Sequence, residues 1–149
     1  MAIMEQLKLI RQQLLTGGVM QYCIAKFGSP PVVSIGLVDK DIAGIESLPL
    51  ITIDLGEMKY EQVNMQRRIV ATIRITAMAL VSETTSDSDG VIYDGIDVID
   101  GLCREIRSIR IPGLVFVSSQ PLLVDLGEIV ARRYPVFGQI ENAVLRVVE

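Results

Sequence analysis

Residues 67–81 read RRIVATIRITAMALV, and this stretch decides the fold. Ile69, Ala71, Ile73, Ile75, Ala77, Ala79 and Val81 fall on one parity, with Thr72, Arg74 and Thr76 on the other. A two-residue period is the mark of a β-strand, whose successive side chains point to opposite faces of the sheet. The first parity is expected to be core. The second is polar in its middle and apolar at its ends, at Val70, Met78 and Leu80, which suits a surface covered by another subunit or helix. Arg67, Arg68, Arg74, Met78 and Leu80 are therefore candidate subunit-interface residues. The strand is longer than the usual five or six residues.

Upstream, Ile3, Leu7, Ile10 and Leu14 recur at helical spacing. Gly17 and Gly18 break that helix, because each glycine costs about 1 kcal/mol in a helix interior. Met20, Cys23, Ile24 and Phe27 form a second short helix in shifted phase, stopped by Gly28, Pro30 and Pro31. Residues 32–38 are a short strand, 39–47 a polar loop and 48–55 a half-buried strand, with Ile51, Ile53 and Leu55 alternating with Thr52 and Asp54. Residues 56–65 are polar and read as a loop or exposed hairpin connection. Downstream, residues 82–90 read as an acidic loop. Ile92, Ile96, Ile99, Cys103 and Ile106 then mark an amphipathic helix with early acids and late arginines, as the helix dipole favours. Residues 111–113 end it. Short strands follow at 114–117 and 122–126, then at 128–137 and 143–148, the last two separated by a break at 138–142. With so few helices to cross over between strands, the chain is expected to be α+β: a mostly antiparallel sheet with two main helices packed on one face.

The length, 149 residues, fits a single domain spanning 1–149. A domain of that size buries roughly 70% of its unfolded surface and folds without a disulfide or metal. Half of the residues are hydrophobic and the mean hydropathy is +0.43, yet no apolar run approaches the roughly 20 residues that span a bilayer. Burial between subunits is a natural place for that excess. The opening residues lack the pattern of a signal peptide. Cys23 and Cys103 sit among apolar residues and read as buried free thiols of a reducing compartment. Net charge is −4 with no concentration of cations, which argues against tight nucleic-acid binding.

The chain has no histidine, which removes Ser-His and Cys-His pairs and imidazole metal ligands. No phosphate-cradling glycine motif occurs. Asp87, Asp89 and Gly90 match part of a calcium loop, but Thr85 and Ile96 fall where the first and last carboxylates are needed. Asp94, Asp97 and Asp100 read as a solvated helix face. Arg67–Arg68 and Arg132–Arg133 read as basic pairs that salt-bridge to acids on a neighbouring strand or subunit, with a phosphate site as the alternative. The expectation is a protein that catalyses nothing and carries no cofactor or metal. Glu83, Asp87 and Asp89, in a stretch without cations, are expected to form an exposed element at a subunit surface, facing a DNA channel or serving only as a solvated connector.

The order of elements carries a resemblance: an N-terminal helix, a Leu-Pro-x-Ile-x-Ile strand at Leu48 to Ile53 ending near Gly56, the long strand, an acidic loop, the Ile96–Ile106 helix and closing strands. This resembles the tail terminator (tail completion) proteins of long-tailed bacteriophages. The resemblance implies a small α+β subunit of the virion, assembled in the host cytoplasm and forming a ring, commonly a hexamer, at the head-proximal end of the tail. There it stops tube polymerisation and meets tube, sheath or neck proteins. The alternatives are another phage neck or baseplate subunit, or a small ligand-binding or regulatory α+β subunit.

Overall fold

The computed structural model describes residues 2–36, 49–80, 84–87, 90–93, 95–123 and 136–148. These form helices α1 (Ala2–Leu14), α2 (Gly17–Phe27) and α3 (Gly95–Arg107) and strands β1 (Val32–Ile35), β2 (Leu50–Val63), β3 (Gln66–Leu80), β4 (Thr84–Asp87), β5 (Gly90–Tyr93), β6 (Leu114–Leu123) and β7 (Val136–Val148). Five strands make one mixed sheet in the order β1-β2-β3-β7-β6. Only β1 and β2 run parallel, and β4 pairs with β5 in a separate two-stranded ribbon. The fold is α+β with a mostly antiparallel sheet.

The alternation in β3 does what the sequence requires of it. Ile69, Ala71, Ile73, Ile75, Ala77 and Ala79 are all buried and share one core cluster with Leu7, Ile10 and Leu14 of α1, Cys23 of α2 and Ile99, Leu102, Cys103 and Ile106 of α3. On the other parity Thr72 and Arg74 are exposed, Val70 and Met78 half-buried, and Thr76 buried. The break between α1 and α2 falls at Leu15 and Thr16, just before the glycines: Gly17, at φ +65°, and Gly18 open α2 rather than separating the helices. Gly28 caps α2 in the left-handed conformation, its N–H donating to the Ile24 carbonyl at 3.0 Å. Two long-range contacts set the helices. Arg11 Nε donates to the Val33 carbonyl at 3.0 Å, tying α1 to β1. Tyr22 of α2 lies over Gly101 of α3 and donates its hydroxyl to the Val98 carbonyl at 2.7 Å.

Several expectations need correction. Of the two readings of residues 56–65, the exposed hairpin holds and the loop does not: β2 runs through 56–63 as one arm of a hairpin that turns on Asn64 and Met65, at φ +52° and +64°. Two positive φ values match the primed turns that suit the twist of paired strands. Residues 84–87 are also strand rather than loop, because Thr84 and Thr85 are β-branched and pair with Tyr93 and Ile92. Ile92 therefore belongs to β5, and α3 begins at Gly95. The break placed at 138–142 does not exist: β7 is continuous, hydrogen-bonded to β3 on one side and β6 on the other. Nor does β6 stop at 117, running on to Leu123 with a bulge between Phe116 and Ser118. Among the described residues there are three helices rather than two main ones, α2 being nearly as long as the others. Residues 37–48 and 124–135, including Arg132 and Arg133, lie outside the described residues, as does Asp94.

One turn is sterically exacting. Gly113 sits at φ +83°, and a Cβ there would collide with the Arg146 carbonyl of β7, while the Gly113 carbonyl accepts from the Arg146 N–H at 2.9 Å. Gly28 has a similar φ with open space around it. Gly113→Ala is expected to cost about 3 kcal/mol, combining left-handed strain with displacement of backbone, and Gly28→Ala only about 1 kcal/mol. Urea denaturation of the two variants measures the difference.

Candidate functional site

The residues singled out for an interface do not converge. They are strung along β3, with Arg67 and Arg68 near its start, Arg74 in the middle and Met78 and Leu80 at its end. At about 3.3 Å per residue the ends are some 40 Å apart. Arg67 is exposed and stacks over the Tyr60 ring, 4.2 Å from its centre, on the hairpin arm of β2 and β3. Met65 at the tip of that arm is 94% exposed and Tyr60 is 53% exposed. Arg74 pairs in register with Asp54 and Asn142 and borders a cavity of about 380 Å³ with Leu55, Thr72, Val117 and Val144. Met78 lies half-buried between Leu50 and Gly138 in register. Leu80 ends the ladder opposite Val136. Asp87 is the last residue of β4, whereas Glu83 and Asp89 lie outside the described residues.

Among the described residues the sheet has open flanks. β6 is an outer strand, with Val115 and Val117 exposed, and β1 covers β2 only as far as Ile53. Among the described residues the remainder of β2 has no strand on that side, and it carries Glu57, Lys59 and Glu61, charges of the kind that discourage indiscriminate strand pairing. A bulge between Leu55 and Met58 bends this part of β2, and the Glu57 N–H donates to Thr72 Oγ1 at 2.8 Å. Gly56 is needed there because a Cβ would strike the same hydroxyl.

Two polar clusters escaped the sequence reading. The first surrounds Glu141, which is fully buried. Its carboxylate accepts from Arg107 Nη1 at 2.6 Å, Ser119 Oγ at 2.5 Å and Gln139 Nε2 at 2.7 Å, joining α3, β6 and β7. Arg107 also reaches Ser119 Oγ at 3.1 Å. A buried charge with this many donors is a clamp rather than an exposed acid awaiting substrate. Cys103 lies beside it, and burial, reinforced by the Glu141 charge, pushes its thiol well above the usual range. Burial likewise pushes the Cys23 thiol up to about 12. Both are unreactive thiols, as their apolar settings suggested.

The second cluster lines a cavity of about 440 Å³ at the Arg68 end of the sheet, walled by Pro112, Val147 and Val148 and holding Gln6, Arg68 and Arg146. Gln6 Oε1 and Arg68 Nε are buried in it and have no hydrogen-bond partner among the described residues. Among the described residues no group of three potential metal ligands exists, and no helix is long and apolar enough to cross a membrane.

Breaking the Glu141 clamp from one side leaves a buried charge uncompensated. Arg107→Met is expected to cost about 3 kcal/mol, and Arg107→Met combined with Glu141→Leu to recover most of that loss. Chemical denaturation of the single and double variants reads the coupling. Both thiol pKa values are raised on folding, so the folded state holds protons that the unfolded state releases above the ordinary thiol value of 9.0. Stability from each thiol is complete below pH 9 and falls by about 1.4 kcal/mol per pH unit above it, as denaturation midpoints from pH 8 to 11 would show. No protein-family model matches the sequence, and no curated protein matches it, so these features are read from their geometry.

Proposed function

We propose that this chain is a structural subunit of a bacteriophage tail, a tail terminator that closes into a ring at the head-proximal end of the tube. The observation that carries the reading is the exposure of apolar side chains along an open sheet. Val115 and Val117 of β6 are 52% and 61% exposed, while Met65 and Tyr60 stand out on the hairpin arm. Among the described residues two unlike flanks, β6 on one side and the part of β2 beyond Ile53 on the other, favour head-to-tail rather than two-fold contacts. A head-to-tail contact closes into a ring when its rotation allows and otherwise propagates as a filament. The α+β architecture and the order of helix, long hairpin, second helix and closing strands agree with the family the sequence resembles. A ring of this kind acts by shape: one surface meets the last ring of tube subunits, blocking further addition, and the opposite one receives neck or head proteins. The role calls for no catalysis and no cofactor.

In solution, or when added to tail tubes, the protein is expected to run at six times the 16.4 kDa chain mass. Light scattering coupled to size exclusion measures this, and a monomer at tens of micromolar both alone and with tubes contradicts the proposal. Val117→Lys changes an exposed position and is expected to alter monomer stability by no more than about 0.5 kcal/mol. It is nevertheless expected to weaken assembly, because the charge loses its water when the flank is covered.

A further inference from the structure

We propose that the cavity at the Arg68 end of the sheet binds the C-terminal end of a partner peptide, Arg68 and Arg146 taking its carboxylate and Gln6 taking the N–H of its last residue. The site stands whether or not the chain closes into a ring. The cavity is chemically incomplete in two opposite senses. Among the described residues Arg68 Nε is a buried donor without an acceptor, and Gln6 Oε1 is a buried acceptor without a donor. A buried polar atom left unpaired is costly, so the site favours an occupant that pairs both. Charge adds a second condition. Arg68 stands opposite Val148 and Arg146 opposite Val70, so the two arginines are diagonal neighbours on one face of the β3–β7 ladder. Among the described residues neither is in an ion pair, even though Glu61 lies opposite Arg68 on β2. One acid could in any case neutralise only one of the two cations.

These two conditions select among simple groups. An isolated anion would suit the arginines and leave Gln6 Oε1 facing more negative charge. An alcohol or a neutral amide would satisfy Gln6 and leave the cations unmatched. The end of a peptide meets both conditions at once. Its carboxylate accepts in the planar geometry that guanidinium groups favour, and the N–H of the same residue is a donor. The walls supply the rest: Pro112, Val147 and Val148 are apolar and suit an apolar last side chain. The volume, about 440 Å³, is in the range of small-ligand sites. Arg146 and Val148 are exposed, so the cavity opens to solvent and the preceding residues of the peptide have a way out. Gln6 comes from α1, Arg68 from β3 and Arg146 from β7, so it is the packing of α1 against the sheet that brings acceptor and cations together.

A tripeptide with a free C-terminus, acetyl-Gly-Gly-Val, tests the site on the full-length chain, with binding followed through the backbone amide and arginine Nε–H signals by NMR. Millimolar peptide is expected to shift the Arg68 Nε–H signal and the amides of Gly113 and Val147. Blocking the carboxylate as a C-terminal amide is expected to weaken binding at least about tenfold. Replacing the last N–H by an ester oxygen is expected to weaken it about fivefold on the wild type and not at all on Gln6→Leu, which no longer offers the acceptor. Arg146→Gln changes an exposed position and is expected to lose about tenfold in affinity with its thermal melt unchanged. Both peptide analogues are compared on the unaltered chain, so the test survives a variant that fails to fold. Equal binding by either analogue, tighter binding by free valine than by the tripeptide, or shifts that avoid the cavity each overturn the proposal. So does a titration to millimolar peptide that moves no signal. None of these outcomes bears on the ring, which light scattering reads separately.

Discussion

The register of β3 is the constraint on which the rest of the molecule depends. Its buried parity combines bulky Ile69, Ile73 and Ile75 with small Ala71, Ala77 and Ala79, and all of them join the cluster that also holds the buried residues of α1, α2 and α3. A slip of one residue against β2 or β7 would bring Thr72 and Arg74 into that cluster and expel the isoleucines. Because β3 has a neighbour on each side along most of its length, the slip would have to occur on both ladders together. The two bulges, in β2 and β6, lie outside this central strand, where the sheet can bend without disturbing the core.

Hydrophobic burial alone does not specify how α3 meets the sheet, since Ile99, Leu102 and Ile106 would fit against many apolar surfaces. The Glu141 clamp removes that freedom. Gln139 of the same strand and Ser119 of β6 hold its carboxylate, but the one cation comes from Arg107 of α3, so a helix shifted by a turn would leave a charge stranded in the core. The contact adds little net stability and much discrimination. Close approach at Tyr22 and Gly101 adds a second constraint on α3, since a side chain larger than hydrogen at 101 would displace the Tyr22 ring from its hydrogen bond to Val98.

Much of this was legible along the chain because the signals are local. The helical spacing of Ile3 to Leu14, the glycines at 17 and 18 and the alternation in β3 each announce their element within a dozen residues. What escaped depends on partners far away in sequence. Gly138, Gln139, Glu141 and Asn142 look like a turn when read alone. They form a strand because β3 and β6 supply hydrogen bonds on both sides and because Arg107, 34 residues earlier, neutralises Glu141. Residues 56–63 left loop and exposed hairpin both open, and 84–87 looked like a loop, because an exposed hairpin has little apolar patterning to betray it. The Arg68 cavity shows the same limit: Arg68 was noticed as a cation, but Gln6 and Arg146, which make it a pocket, stand at opposite ends of the sequence.

The placement of β7 also governs the order of events as the chain folds. It lies between β3 and β6 in the sheet yet follows both in sequence, and its partners on β3 are roughly half the chain away. Loop-closure entropy makes such a pairing slow, so α1, α2 and the β2–β3 hairpin form well before it. During synthesis β3 waits with one edge bare and α3 waits without the acid that anchors Arg107. The arrival of β7 completes the sheet, the clamp and the Gly113 turn in a single cooperative step. Until then the nascent chain is a hairpin with sticky, unpaired backbone, the kind of intermediate that chaperones shelter.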